Sequence, residues 1–298
     1  MYDVVVVGGG TAGLTAAIYV LRAGKSVMVL EGETFGGQIT ASPRVENFPG
    51  FKSISGADFA DSLTEQALSL GAETDFCQVK KIIDNGSYKT VLTEYGEYDA
   101  KSVIIATGSK HKHLGVKGEE ELSGCGVSYC AVCDGAFFKG KICCVVGGGN
   151  SALQSAMHLS SYCSKVYLIH RRDAFRGEER LAELLKEKEN VEFVLNSVAL
   201  EIKGETEVEG IVIKNVKTDE MEEIKTDGVF IAVGQVPNNS AFSDIVELDE
   251  QGYIVASEDC RTTCEGIFAA GDCRTKSVRQ LTTASADGSV AGLAACSE

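Results

Sequence analysis

Two glycine-rich segments that repeat in register constrain the fold of this chain more than any other feature of its sequence. When the sequence is shifted by 139 residues, Gly8–Gly10 aligns with Gly147–Gly149 and Gly13 aligns with Ala152, and no gap is needed across about 24 positions. In each copy a β-branched run precedes the glycines, and apolar residues follow them at helical spacing. The sequence therefore predicts two βαβ units, each with a G-x-G-x-x-[G/A] turn.

The glycine spacing of both units is typical of turns that hold a dinucleotide. The first glycine allows a tight bend, the second lets the backbone approach a pyrophosphate, and the third position must be small so that the helix can pack on the strand. The N-terminus of the following helix then faces the phosphates. One such turn is a weak signal because glycine-rich turns have other uses, but two in register predict two nucleotide sites.

The two copies differ at the end of the second strand, where a ribose would lie. The first copy has Glu31, and a carboxylate there accepts hydrogen bonds from a 2′-hydroxyl and repels a 2′-phosphate. The second copy has His170, Arg171 and Arg172, with Arg176 soon after, and arginines favour a 2′-phosphate. We therefore expect FAD or NAD on the first copy and NADP on the second. The alternative for the basic segment is a solvated turn.

Composition excludes several classes of protein. The net charge of -15 repels phosphate backbones and argues against a nucleic-acid partner. No apolar run approaches the ~20 residues of a membrane span, so no membrane association is expected. The N-terminus has neither the basic region nor the cleavage site of a signal peptide. We expect a cytoplasmic protein, in which most of the 11 cysteines are reduced thiols.

A pair of cysteines lies between the two predicted units. Cys130 and Cys133 are separated by two residues, and Asp134 follows directly. This spacing predicts a redox dithiol, because the sulfurs can close a disulfide across one turn, and Asp134 could relay the proton that thiol exchange requires. Half of a zinc site and two structural thiols are the alternatives. Tetrahedral zinc needs four ligands and the chain has no second C-x-x-C pair, so we predict no metal.

Together these motifs closely resemble the low-molecular-weight thioredoxin reductases of bacteria. The CxxCD segment between two nucleotide motifs is very specific to that group. The matching segments run nearly from end to end of the chain: GGGTAG at 8–13, GGQI at 36–39, VENFPG at 45–50, ATG at 106–108, CAVCDG at 130–135, GGGNSA at 147–152, HRRDAFR at 170–176, AVGQVPN at 232–238, AAGD at 269–272 and RQ at 279–280.

The resemblance implies an α/β fold of two Rossmann-like, three-layer nucleotide-binding domains, with the NADPH domain inserted into the FAD domain. The FAD domain would be discontinuous and comprise residues 1–112 and 242–298. The NADPH domain would comprise residues 113–241 and carry the cysteine pair. A homodimer with one FAD per subunit is also implied.

The family's motifs also imply the residues that contact each cofactor. Those for FAD are Gly8, Gly10, Gly13, Glu31, Gly36, Gln38, Asn47, Asp272 and Gln280. Those for NADPH are Gly149, Asn150, Ser151, Arg171, Arg172 and Arg176.

The activity that the resemblance implies is that of a thioredoxin-disulfide reductase. NADPH would pass a hydride to FAD, reduced flavin would reduce the Cys130–Cys133 disulfide, and the dithiol would exchange with oxidised thioredoxin. Cys133 would be the sulfur nearest the flavin, and Asp134 the acid or base. One flavin face cannot hold nicotinamide and disulfide at once. The family resolves this by rotating the inserted domain, and the glycine-containing segments 109–127 and 234–238 are the expected hinges.

Four alternatives are weighed against this interpretation. The acceptor could be another small disulfide protein, which the sequence does not distinguish from thioredoxin. A ferredoxin-linked flavin thioredoxin reductase would lack the NADPH glycines and arginines, which are intact here. A ferredoxin–NADP oxidoreductase of similar fold would lack the C-x-x-C pair. A non-catalytic redox-sensing or zinc-binding module would be colourless when purified, whereas a flavoprotein would be yellow.

Overall fold

The computed structural model describes all residues from 1 to 298. By the density of its internal contacts the chain divides into two compact units. The first comprises Met1–Lys110 together with Val236–Glu298, and the second comprises His111–Gln235. The first unit is therefore built from both ends of the chain, and the second is a single continuous segment.

The secondary structure alternates strands and helices. The α-helices are α1 (Thr11–Arg22), α2 (Gly56–Ser69), α3 (Ala131–Asp134), α4 (Asn150–Leu159), α5 (Glu179–Lys186) and α6 (Leu281–Ala295). The strands are β1 (Tyr2–Val7), β2 (Val27–Glu31), β3 (Glu73–Phe76), β4 (Val79–Asp84), β5 (Lys89–Thr93), β6 (Glu97–Ile105), β7 (Ser109–His111), β8 (Val127–Ser128), β9 (Ile142–Gly147), β10 (Lys165–His170), β11 (Val191–Leu195), β12 (Ser197–Lys203), β13 (Gly210–Asn215), β14 (Met221–Lys225), β15 (Gly228–Ala232), β16 (Gln235–Pro237) and β17 (Ile267–Ala269). Short 3-10 helices span Gly37–Ala41, Gly135–Phe138, Ser240–Phe242 and Gly271–Cys273.

The first unit is organised around one seven-stranded sheet. Its order is β3-β2-β1-β6-β5-β4, and β17 also pairs with β6. Strands β3, β2, β1, β6 and β17 are parallel, while β4 and β5 form an antiparallel extension. The valines of β1 alternate between the two faces. Val4 and Val6 pack with α1 and α6, and Val5 and Val7 pack on the opposite side against β4, β5 and the segment after β16.

The second unit repeats this architecture. Its parallel sheet has the order β11-β10-β9-β15-β8, and β12, β13 and β14 form a separate antiparallel sheet. Cys143 and Val145 on β9 pack towards α4, and Cys144 and Val146 pack on the opposite face with residues of β13 and β14. Each unit thus has helices on one face of a parallel sheet and antiparallel strands on the other, which confirms the predicted α/β class with two Rossmann-like nucleotide-binding folds.

Strand β3 differs from the sequence prediction. The alternating polarity of residues 73–100 predicts hairpin strands, but β3 instead pairs in parallel with β2. The reason is the preceding helix, because α2 forms a crossover that carries the chain from β2 to the outer edge of the sheet. Strands β4 to β6 do form the expected antiparallel pairs. No helix in the chain has both the length and the apolar character needed to span a bilayer.

Candidate redox and nucleotide-binding sites

The cysteine pair forms a disulfide at the start of a short helical turn. Cys130 caps α3, and its sulfur is bonded to that of Cys133. The backbone N–H of Cys133 also donates to the Cys130 sulfur over 3.2 Å. Both residues are partly exposed. A donor aimed at a sulfur stabilises the thiolate that appears when the disulfide is reduced, so the turn favours thiol exchange at Cys130.

The carboxyl group of Asp134 lies beside this pair and is half-buried. Burial raises its pKa, and a hydrogen bond from the Ser128 hydroxyl, 2.6 Å from Oδ2, opposes that rise. The same hydroxyl accepts from the backbone N–H of Cys130 at 3.0 Å. Ser128 therefore joins the carboxyl to the cysteine turn. A carboxyl group with a raised pKa retains its proton closer to neutral pH, which suits proton transfer to a sulfur.

The first glycine turn has no room for a side chain at two of its three glycine positions, Gly8 and Gly13. Gly8 has a φ of 111°, and a Cβ atom on it would lie 2.4 Å from the carbonyl oxygen of Ala106. A Cβ on Gly13 would lie 1.9 Å from the Gly8 oxygen. Gly10 caps α1, and the nearest atom to a Cβ there would be 3.9 Å away. The turn is therefore tight on its inner side and open at the helix N-terminus, as phosphate binding requires.

The carboxylate of Glu31 is held against this turn. Its Oε2 accepts from the backbone N–H of Gly9 at 2.6 Å, and its Oε1 accepts from those of Glu33 and Thr34 at 2.7 and 3.2 Å. These bonds fix the carboxylate at the carboxyl end of β2. Carboxylate oxygens accept more than one hydrogen bond, so Glu31 can still receive a ribose hydroxyl.

Asp272 carries a buried polar atom without a partner. Its Oδ1 is buried and makes no hydrogen bond within the protein. Burial raises the pKa of this carboxyl group, while Lys276 and Arg279 act in the opposite direction. Buried acceptors are nearly always satisfied, so a carboxyl oxygen left open in this way fits a ligand hydroxyl. This observation supports a flavin nucleotide in the first unit.

The remaining residues predicted to contact FAD form two groups. Gly36, with a φ of 93°, makes a bridge to Gly10, so the structure brings the flavin loop to the glycine turn. The side-chain amide of Gln38 donates to the backbone oxygen of Ser109. Asn47 donates to the side-chain oxygen of Gln280 over 3.2 Å. Residues 233 positions apart in the chain thus meet in the first unit.

The second glycine turn has a histidine beneath it. A Cβ on Gly148 would lie 2.1 Å from the imidazole ring of His170, and that ring stacks on Phe175. His170 is buried, and burial lowers its pKa. By its position in the sequence, His170 belongs to the basic cluster that continues with Arg171 and Arg172. The structure places its ring inside the unit as a neutral packing group, so only the arginines contribute charge.

The arginines that follow β10 are exposed and free of carboxylates. Arg171, Arg172 and Arg176 are all exposed and none forms an ion pair. Asp173, which lies between them in sequence, pairs instead with Lys217 at 3.1 Å. The backbone N–H of Arg176 donates to the Gly148 oxygen at 2.7 Å, which ties this segment to the glycine turn. Three uncompensated cations beside that turn fit a phosphorylated ribose.

The helix after this turn begins with the other predicted contact residues. Gly149 caps α4 in an extended conformation, and a Cβ on it would meet no atom within 4 Å. Asn150 and Ser151 form the first turn of α4. The side-chain oxygen of Asn150 accepts from the backbone N–H of Glu178 at 2.7 Å. The open space at this helix N-terminus suits a pyrophosphate.

Comparison with known families places these observations in context. Residues 2–288 match the family model described as pyridine nucleotide-disulphide oxidoreductase. The chain belongs to this family. It is therefore an oxidoreductase of the pyridine nucleotide-disulphide class, and the resemblance recognised from its motifs is confirmed.

Individual members of the pyridine nucleotide-disulphide oxidoreductase family cover nearly the whole chain. A thioredoxin reductase of Bacillus subtilis is 45% identical over 292 residues, which is 98% of this chain and 92% of the relative. The crystal structure of a Streptococcus pyogenes thioredoxin reductase matches with a TM-score of 0.95 at 43% identity, over 99% of this chain and 97% of that one. A Clostridium acetobutylicum ferredoxin-flavin thioredoxin reductase matches with a TM-score of 0.54 at 32% identity, over 99% and 97%.

Two residues that the structure places beside these sites were not indicated by the sequence patterns. Ser128 carries no motif, and only its position two residues before Cys130 could have drawn attention to it. Asp287 lies in the middle of α6, yet its carboxylate accepts from the backbone N–H of Gly271 at 2.9 Å. The available signal was that Asp287 is the single charged residue in this helix.

Proposed function

We propose that this chain is an NADPH-dependent, FAD-containing thioredoxin-disulfide reductase. The observation that carries the proposal is the Cys130–Cys133 disulfide beside the half-buried carboxyl group of Asp134. A disulfide that is partly exposed and adjoins a proton-holding group is suited to exchange with a protein disulfide. The relatives named thioredoxin reductase support thioredoxin as that protein.

The two nucleotide turns divide the cofactors between the units. In the first unit the glycine turn, Glu31 and the open Oδ1 of Asp272 would hold FAD. In the second, the N-terminus of α4 and the exposed arginines would hold NADPH. When bound, these groups supply a hydride and a two-electron carrier that can reduce a disulfide. The division into an FAD domain of 1–112 with 242–298 and an NADPH domain of 113–241 remains part of the proposal.

The protein's own residues then carry out the exchange with the substrate. The thiolate of Cys130, stabilised by the N–H of Cys133, attacks one sulfur of thioredoxin's disulfide and forms a mixed disulfide. Asp134 supplies the proton that the departing thioredoxin sulfur needs. The Cys133 sulfur then attacks the Cys130 sulfur and the mixed disulfide breaks. The proton of Cys133 passes to the second thioredoxin sulfur, so that the Cys130–Cys133 bond is restored and reduced thioredoxin is released. Ser128 holds the carboxyl group at the turn throughout.

Trapping of the mixed disulfide tests this order of attack. In Cys133→Ser the resolving sulfur is absent, so a covalent complex with oxidised thioredoxin should accumulate after reduction. In the matched variant Cys130→Ser no such complex should form, and both variants should lose turnover. Full thioredoxin reduction by either variant would refute the assignment of the pair. A complex formed by Cys130→Ser alone would reverse the roles of the two sulfurs.

Anaerobic spectroscopy tests the electron donor. The purified holoenzyme should be yellow, NADPH should bleach its flavin absorbance much faster than NADH, and oxidised thioredoxin should restore the colour. The double variant Cys130→Ser/Cys133→Ser should bleach with NADPH and fail to recover with thioredoxin. Absence of bleaching by either nucleotide would favour a ferredoxin-linked enzyme. Recovery with another small disulfide protein, but not thioredoxin, would change the substrate.

We also propose that the protein is a cytoplasmic homodimer, as the resemblance implies. Light scattering coupled to gel filtration should give twice the chain mass of 31.6 kDa. A monomeric mass at micromolar concentration would contradict the dimer and leave the redox proposal intact.

A further inference from the structure

Two buried cysteines outside the redox site lie close together in the second unit. The sulfurs of Cys143 and Cys163 are 3.5 Å apart. Cys143 is fully buried on β9, and Cys163, 5% exposed, lies between α4 and β10. Neither residue contributes to a nucleotide turn or to the C-x-x-C pair. The two residues are 20 positions apart in the chain, and the fold brings their sulfurs into contact.

We propose that Cys143 and Cys163 are an oxidation site, at which a hydroperoxide converts the two thiols into a second disulfide of this protein. The site is independent of the proposed thioredoxin chemistry. Its product would be a covalent link between β9 and the segment that follows α4. The chain enclosed by this link contains the whole second glycine turn and α4.

The positions of the two sulfurs favour closure. A disulfide requires a sulfur separation of about 2.05 Å, so the pair must approach by roughly 1.5 Å. Cys143 is fixed within β9, between β10 and β15. Cys163 lies outside the helices and strands, but its backbone N–H donates to the Leu159 oxygen at 2.9 Å and its oxygen accepts from Asn190 at 3.0 Å, so closure must come from rotation of the side chains. Hydrogen bonds from Gly140 to Tyr162 and from Ser164 to Lys141 hold that segment beside the start of β9.

The surroundings of the pair limit what can oxidise it. The pair belongs to a buried apolar cluster that includes Leu159, Val166 and Leu185. The carboxylate of Asp227 is the charged group that acts on both sulfurs, and it raises the pKa of each. A protein disulfide could not reach sulfurs in this position, whereas hydrogen peroxide is small and uncharged. The pair is therefore matched to a small oxidant, in contrast to the partly exposed Cys130 and Cys133.

The contact between the sulfurs also makes them unequal. The hydrogen bond with Cys163, together with burial, raises the pKa of Cys143, while the same bond lowers the pKa of Cys163. Cys163 therefore gives up its proton more readily than Cys143, and it is also the more exposed of the two, so we expect the oxidant to react first with Cys163. Cys143 retains its proton until the second step.

The reaction balances in two steps. The Cys163 thiolate attacks one peroxide oxygen, the O–O bond breaks, and the departing hydroxide takes a proton to become water, which leaves a sulfenic acid on Cys163. The Cys143 sulfur then attacks the Cys163 sulfur. The S–O bond breaks, and the hydroxyl group leaves as a second water with the proton from Cys143. Two thiols lose two electrons, and one peroxide becomes two waters.

Disulfide mapping tests the proposal on the intact holoenzyme. The protein is treated with hydrogen peroxide, cleared with catalase, denatured in N-ethylmaleimide and digested without reduction. Mass spectrometry should show a peptide pair linked through Cys143 and Cys163, and dithiothreitol before alkylation should remove it. The exposed Cys125 reports whether the oxidant was active.

Matched alanine variants separate this pair from general oxidation. Cys163→Ala should abolish the link and leave Cys143 fully alkylated. Cys143→Ala should leave a sulfenic acid on Cys163 that dimedone traps. Cys144→Ala removes the thiol of the next residue of β9, which faces the opposite side of the sheet. This variant should still form the Cys143–Cys163 link. Full alkylation of Cys143 and Cys163 in wild-type protein, with Cys125 oxidised, would overturn the proposal, as would a link from Cys143 to any other cysteine. If an alanine variant fails to fold, the wild-type map decides.

Discussion

At the scale of single residues, the proton chemistry of the redox site depends on the opposing effects of burial and of one hydroxyl group. Burial raises the pKa of Asp134, and the hydrogen bond from Ser128 is the contact that lowers it. The same hydroxyl accepts from the N–H of Cys130. Ser128 therefore affects both the protonation of the carboxyl group and the placement of the turn.

Removing that hydroxyl group should shift the pH dependence of thioredoxin reduction. In Ser128→Ala the carboxylate loses a bond worth about 1.5–3 kcal/mol, so the pKa of Asp134 rises further. The midpoint that reports Asp134 in the pH profile of kcat/KM should move to higher pH. Ser128→Thr keeps a hydroxyl group and should restore the wild-type midpoint, and Asp134→Asn should remove the midpoint. A midpoint that stays fixed or moves to lower pH in Ser128→Ala would contradict this role.

Gly13 is the single residue at which the first nucleotide turn tolerates least change. In Gly13→Ala the new Cβ would lie 1.9 Å from the backbone oxygen of Gly8, so α1 must move away from β1. We expect a loss of about 1–3 kcal/mol or more in the free energy of unfolding, together with weaker FAD retention, by urea denaturation and flavin absorbance. Gly96→Ala adds the same atom in open space and should change neither quantity. Equal stability and FAD retention in the two variants would show that the turn accommodates a Cβ atom at position 13.

At the scale of elements, a buried ion cluster links α6 to the 3-10 helix that carries Asp272. Asp287 accepts from Arg274 through both carboxylate oxygens at 2.8 Å and from Lys276 at 2.9 Å. It also accepts from the backbone N–H of Gly271. Burial by itself would raise the pKa of Asp287, but the two cations outweigh it and hold the pKa below its ordinary value. The cluster therefore fixes the backbone beside the open oxygen of Asp272.

Neutralising this carboxylate should destabilise the first unit. Asp287→Asn leaves Lys276 buried without a counter-ion and Arg274 with only the exposed Glu258 at 3.8 Å, and breaking such a buried pair costs about 3–5 kcal/mol. Urea denaturation should show that loss, and flavin should dissociate more readily. Asp244→Asn breaks an exposed ion pair with Lys81 and should have little effect. A similarly small effect in both variants would mean that Asp287 is not held in a buried ion pair in solution.

The same carboxylate predicts a pH window for stability. Because its folded pKa is lowered from 3.8, its contribution is fully present above that value and is lost as the pH falls towards the folded pKa. The difference in unfolding free energy between wild type and Asp287→Asn should therefore shrink below pH 4. A difference that grows with acidification would contradict the lowered pKa.

At the scale of the whole molecule, the charge distribution separates one cationic site from an acidic background. The chain has a net charge of -15, yet Arg171, Arg172 and Arg176 are exposed and free of ion pairs. An acidic protein repels a phosphorylated nucleotide at long range, so local cations must supply the attraction. The preference for NADPH is expected to depend on these three side chains.

Nucleotide selectivity should respond to these arginines and not to their neighbours. Arg171→Ala and Arg176→Ala should each lower kcat/KM for NADPH roughly 10- to 100-fold, since a charge-assisted bond to phosphate is worth about 1.5–3 kcal/mol. The value for NADH should change little, and the salt dependence with NADPH should weaken. Arg180→Ala removes another exposed arginine, on α5, and should leave both nucleotides unaffected. Equal losses with NADPH and NADH would assign the arginines a structural role.

The local features of this protein could be predicted from its sequence. The repeat located both glycine turns, and helical spacing located α1 and α4 after them, because these patterns depend on residues within a few positions of each other. The C-x-x-C spacing likewise anticipated the Cys130–Cys133 disulfide, which the structure contains. The contacts assigned to FAD and NADPH remain predictions that the proposed experiments test.

Other features were decided only by the tertiary structure. His170 does not contribute to the basic cluster, because β10 places its ring against Gly148. Asp287 meets Arg274, and Cys143 meets Cys163, because packing brings together side chains that are distant in sequence. The sequence by itself determined the turns, the helices and the redox pair, since their geometry is local. Which side chains share a buried space depends on how strands pair and which face each residue takes, and a chain read in one dimension does not contain that information.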